Sequence, residues 1–144
     1  MEPNYMALLV HSVRAIKYRF IAVTTGSKES FGEFRVSPQT RTPNEIIHHM
    51  VDLVTKTGVR IREGHFNVPE AMAVDFEEEK MRMLQGLDDL TGLLETVSLD
   101  LDLACRLLQG PLLDITTHIG QLALLNGLHG NRIPRQDYFS QVIQ

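Results

Sequence analysis

The 144-residue chain is 43% hydrophobic and 22% charged, enough apolar content to bury one core and too much to leave the chain disordered. Its formal net charge is −4, with 14 Lys and Arg against 18 Asp and Glu and no basic block, which excludes the electrostatic footprint of a nucleic-acid binder. No apolar run reaches the roughly 18 residues a membrane span needs, and the opening lacks a basic region followed by an apolar one, so a single soluble, cytoplasmic domain over residues 1–144 is expected, without a membrane partner.

The first predicted helix runs roughly from Pro3 to Thr24, with Met6, Leu9, Val10, Val13, Ile16, Phe20 and Val23 at three- and four-residue spacing and Gly26-Ser27 closing it. Phe31, Phe34 and Val36 in the following loop are expected to cover one end of the core. The second helix has the clearest start in the chain: Thr42 as N-cap, Pro43 at the first helical position and Glu45 at the third, running to about Arg62. The third opens at DFEEEK and turns Phe76, Met83, Leu84, Leu87, Leu90 and Leu94 inward. Its run Glu77, Glu78, Glu79 is expected to be a solvated first turn complementing the helix dipole.

Residues 99–109 mix alternation with helical spacing and are expected to form a short, turn-rich lead-in. Gly110-Pro111 then restarts the chain as a fourth helix ending near Gly130, because proline breaks a helix arriving from before. In the tail, Ile133, Tyr138, Phe139 and Val142 are available to dock back on the bundle. The single cysteine, Cys105, permits no internal disulfide and is expected to be a small buried hydrophobe. Four long helices without strand signal predict an all-α four-helix bundle, whose metal and cofactor sites are built from side chains of facing helices.

The stretch DITTHIGQ places Asp114, His118 and Gln121 on one face: relative to Asp114, His118 lies roughly 40° one way and Gln121 roughly 20° the other. Leu125 and Leu128 share that strip, and Leu122 and Leu124 flank it, so it is expected to face inward. A carboxylate there needs a compensating cation or several hydrogen-bond donors. A metal ion held by Asp114 and His118 one turn apart meets that need; a plain Asp114 to His118 hydrogen bond is the simpler alternative. A third ligand is available on the second helix, where His49 falls at the margin of the apolar face and the adjacent His48 is expected to point to solvent. His11, His65 and His129 have no partner at ligand spacing.

RTPNEIIHHMVDL, together with QGPLLDITTHIGQLALLNGLHGNRIPRQDYF, resembles the DinB/YfiT-like superfamily of small helical metalloproteins over nearly the whole chain. The specific part is His-x-Gly-Gln-Leu at 118 to 122, backed by the Gly-Pro start and the Gly130 to Pro134 tail. The resemblance implies one divalent metal (Zn, Ni, Fe or Mn) on three side chains. One is a second-helix histidine, matching His49; the others are a His-x-x-x-His pair, matching positions 114 and 118. This chain departs from that pattern in carrying Asp114, which remains a competent, harder ligand.

The resemblance further implies a thiol-dependent S-transferase, isomerase or hydrolase acting on a small molecule, with a low-molecular-weight thiol as cofactor, and a homodimer. Gln121 would support a ligand or touch substrate. The alternatives are a metal- or small-ligand-binding bundle without turnover, and a structural protein in which Asp114 and His118 bond only to each other.

Overall fold

The computed structural model describes residues 4–144; the predicted start of the first helix at Pro3 lies outside them. Among the described residues the chain is all helical, a four-helix bundle with no strand. Its rods are α1 (Tyr5–Thr24), α2 (Pro43–Glu63), α3 (Phe76–Thr96) and a composite fourth made of α4 (Leu101–Leu107) and α5 (Leu113–Leu128). Around the bundle α1 packs on α3 and α5, and α2 packs on the same two, so α1 and α2 lie diagonally opposite. No helix among the described residues is long and apolar enough to cross a membrane.

The apolar stripes predicted for α1 and α3 meet in the centre. Val13, Phe20, Ile47, Met50, Met83, Leu87, Leu112, Ile115 and Leu122 are fully enclosed there. Phe31 closes one end, edge-on to Phe76 with ring centroids 5.5 Å apart. Phe34 packs partly against the same core, whereas Val36 stays exposed. At the far end of α5, the enclosed Asn126 donates to the carbonyl of Val23 (2.7 Å) and the hydroxyl of Ser27 (2.9 Å), tying the last turn of that helix to the end of α1.

The start of α2 has the predicted capping box: the Glu45 amide donates to Thr42 Oγ1 (3.2 Å) and the Thr42 amide donates to Glu45 Oε1 (2.9 Å). That backbone bond is the main reason the Glu45 carboxyl titrates below its usual value, ahead of the bond to the Thr42 hydroxyl and the Arg35 guanidinium. A depressed carboxyl pKa means the box contributes fully above the ordinary carboxylate range and is lost as pH falls through the folded value. Thr42→Ala is expected to cost about 1 kcal/mol of stability in urea unfolding at neutral pH. An unchanged midpoint would show that the box does not hold in solution.

The fourth rod departs from the sequence expectation. Residues 101–107 form helix rather than a turn-rich lead-in, capped by Asp100, whose carboxylate accepts from the Leu103 amide at 2.8 Å. Gly110-Pro111 does not restart the chain. It lies in a π-turn, Leu108–Leu112, through which the backbone stays helical. Proline lacks an amide hydrogen and its ring crowds the carbonyl one turn back. The wider turn removes that conflict by shifting the ladder, with the Leu113 amide reaching the carbonyl of Leu108 five residues earlier.

Three smaller expectations also fail. Cys105 is exposed, because it lies on the outer side of the unforeseen α4. Tyr138 docks on α1, with its ring edge-on to Tyr18 and the Arg19 guanidinium 3.9 Å above it, but Phe139 (98% exposed) and Val142 do not dock. A one-turn 3₁₀ segment at Tyr138–Ser140 directs them outward.

Candidate metal centre

His49 projects from α2, and Asp114 and His118 project from successive turns of α5. The three converge: one ligand atom from each lies within 4.8 Å of the others. Asp114 Oδ2 is 3.7 Å from His49 Nε2, and Asp114 Oδ1 is 3.4 Å from His118 Nε2. The imidazole rings meet edge to face with centroids 4.9 Å apart. Ligand bonds of about 2.0–2.2 Å in a tetrahedral site place donor atoms roughly 3.3–3.6 Å apart, so the spacing fits a single ion with small adjustments. Two imidazoles and a carboxylate form a chemically sound donor set, and the cluster could hold a metal ion.

The support around His118 is consistent with that use. Its Nδ1 bonds to Gln121 Oε1 at 2.8 Å, which turns Nε2 toward Asp114 and the rest of the cluster. His118 is the buried anchor, with 10% of its side chain exposed, while Asp114 at 45% and His49 at 32% stand nearer solvent. The His49 imidazole titrates below its usual value, first because burial disfavours its charged form, then because of Arg41 and His118; Asp114 and Asp52 oppose this more weakly. A depressed value keeps the ring as a free base, the form a metal binds.

The strip bearing these residues is not the inward face of its helix. The enclosed positions of α5 are Ile115, His118, Ile119, Leu122, Leu125 and Asn126. Their mean direction lies roughly 90° from Asp114 at about 100° per residue. Asp114 and Gln121 therefore mark the edge of the buried face, and Leu124 and Leu128, expected on or beside the buried strip, are exposed. The cost of burying Asp114 is accordingly smaller than its spacing suggests, and the centre opens to solvent on that side.

Two further corrections lie on the other flank of His49. Glu79, expected in a solvated turn, is completely buried. The spacing 79, 83, 87, 90, 94 puts it on the inward stripe of α3 with Met83 and the leucines, a signal hidden by its position in an acidic run. His48, expected to face solvent, has only 19% of its side chain exposed and bonds through Nδ1 to Glu79 Oε1 at 3.0 Å. A wheel drawn on α2 alone could not show this, because the cover comes from α3 and the segment before it.

No family model matches the chain, and no curated protein or solved structure matches it. The cluster is thus described by its own geometry. One cavity of about 390 Å³, lined by His48, His49 and Glu79, touches the cluster through His49; a second of about 510 Å³, lined by Gln121, Ile46 and Leu125, includes none of the three residues. Arg41, which no sequence signal singled out, lines both.

Proposed function

We propose that this protein is a divalent-metal-dependent enzyme of the DinB/YfiT-like type, which transforms a small molecule with a low-molecular-weight thiol as co-substrate. The observation that carries the reading is the convergence of His49, Asp114 and His118 from two helices. The ligands would be His49 Nε2, Asp114 and His118 Nε2, and Zn²⁺, Fe²⁺, Mn²⁺ and Ni²⁺ all accept such a set. A bound divalent ion supplies Lewis acidity, which lowers the pKa of a thiol or water beside it.

The chain's own residues provide the remaining requirements. Three protein donors leave coordination positions for small molecules, and the exposed side of Asp114 gives an approach to them. Gln121 holds the His118 ring in one tautomer and orientation through its 2.8 Å bond. Arg41, on the wall of both cavities, can hold an anionic group of a ligand in either. The larger cavity, with Ile46, Leu124 and Leu125 in its lining, suits an apolar reactant.

The test is thiol consumption by metal-loaded protein offered a panel of thiols with an electrophilic acceptor. Turnover is expected, and His49→Ala should reduce it by at least about 100-fold, since even loss of a group supporting a ligand costs 10 to 100-fold. Fully metallated protein that turns over none of the panel would overturn the enzymatic reading and leave a binding module.

A further inference from the structure

The cavity of about 510 Å³ lies between the segment leading into α2, the first turn of that helix and α5. Ile46, Leu124 and Leu125 supply its apolar wall, and Arg41 is the one charged residue of its lining. Gln121 ties it to the cluster: one end of its side-chain amide bonds to His118 Nδ1 at 2.8 Å, and the other end has no partner among the described residues.

Arg41 is held in place by its neighbours in sequence. On one side Thr42 is fixed by the capping box. On the other, the Thr40 carbonyl accepts from the Arg35 guanidinium, and the Thr40 hydroxyl accepts from the Ser37 amide at 3.1 Å. The backbone beneath the Arg41 side chain is therefore set before any ligand arrives, which reduces the ordering cost of binding one. The carboxylates nearest in the lining are committed to other cations, Glu45 to Arg35 at 2.7 Å and Asp52 to Lys56 at 2.6 Å. Among the described residues Arg41 has no ion-pair partner.

A guanidinium with unused N–H donors pairs well with a carboxylate, through two parallel hydrogen bonds. One guanidinium balances one negative charge, which favours a monoanionic carboxylate over a phosphate that is largely dianionic. Charge also decides which cavity takes the rest of such a ligand. The smaller has Glu45, Asp52, Glu70 and Glu79 in its lining, which disfavour an anion, whereas the larger has no acidic residue.

We propose that the reactant at this site is an organic carboxylate with an apolar body, its head paired with Arg41 and its body laid on Ile46, Leu124 and Leu125. The cavity is within the size range of small-molecule sites, and Leu124, 66% exposed, gains cover from the ligand. The inference deepens the metalloenzyme reading and rests on it only in making the bound anion the reactant. Binding itself needs Arg41 and the apolar wall, not the ion.

The experiment titrates hexanoate into the protein at constant ionic strength with Zn²⁺ present, and follows the Gln121 side-chain amide and the Leu124 and Leu125 methyl groups by NMR. The counterparts are n-hexanol, which lacks the charge, and acetate, which lacks the apolar body. Saturable shifts are expected with hexanoate and none with either counterpart over the same range. Arg41→Gln should weaken binding about fivefold, the upper end for an accessible ion pair. Leu124→Ser should weaken it about threefold, as for partial covering of one apolar side chain. Both residues are exposed, so neither exchange disturbs the core.

Hexanoate should bind with unchanged affinity in His49→Ala, which removes a proposed metal ligand outside the lining of this cavity. Loss of binding there would mean that the carboxylate sits on the ion, and would overturn the inference. Equal response to n-hexanol or acetate, or an affinity indifferent to Arg41→Gln, would overturn it as well. Protein that retains no metal yet binds hexanoate through Arg41 would overturn the metalloenzyme reading and leave the anion site standing.

Discussion

Protein purified without added metal is expected to carry close to one divalent ion per chain, and His118→Ala to carry almost none. His118 is the best buried member of the cluster and the one whose orientation another side chain secures. Its loss therefore leaves only His49 and Asp114, two more accessible side chains on separate helices, too few and too free to retain an ion against buffer. Because binding joins α2 to α5 only in the folded state, chelation should also lower the melting temperature. An ion present at 100 times its dissociation constant stabilises by about 2.7 kcal/mol.

The same experiment has a pH arm. The depressed value of His49 means that the folded protein releases this proton more readily than the unfolded chain. In the metal-free protein, His49 thus contributes stability that is present above the ordinary histidine range and is lost as pH falls through that range toward the folded value. Metal affinity should follow the same direction, falling on acidification as the imidazoles protonate, with the fall delayed at His49 by its lowered value. Full occupancy in His118→Ala, measured by elemental analysis, would remove the proposed centre.

Phe20→Ala should be the most damaging of the apolar truncations. The ring is fully enclosed in α1, the helix that packs on both α3 and α5. Truncation to alanine removes the ring's transfer free energy and opens a cavity between rods that cannot close on it, a loss of about 3–5 kcal/mol. Urea unfolding should show a lower midpoint with an unchanged slope. A loss below about 1 kcal/mol would place α1 outside the cooperative core.

Much of the architecture was legible because helical periodicity and capping act locally. The Thr42-Pro43-x-Glu45 start of α2 and the stripe Val13, Ile16, Phe20 of α1 depend only on residues within a turn or two of one another. The cluster was legible for a related reason: Asp114 and His118 share a face by spacing alone. The partner on α2 needed the resemblance as well as the wheel, and the structure brings His49 to the pair.

What escaped was set by the rest of the molecule. His48 is covered by a neighbouring helix and a connecting segment, neither of which an isolated wheel contains. Glu79 carried an inward register inside a run whose composition pointed outward. At Pro111 a local rule was overruled: the rest of the fourth rod gains enough by packing on α1 and α2 for the chain to accommodate a proline in a wider turn.

That turn bears on the aim of Asp114 and His118. A five-residue hydrogen-bonded loop inside a four-residue ladder holds about one residue more than an uninterrupted α-helix, and each residue is worth about 100° of azimuth. Everything beyond Leu112 is therefore phased relative to α4 by this single surplus residue. Were the rod wound uniformly from Leu101, the carboxylate and imidazole of α5 would sweep away from His49. The proline that looks like an interruption works as the indexing notch that keeps the two helices in step.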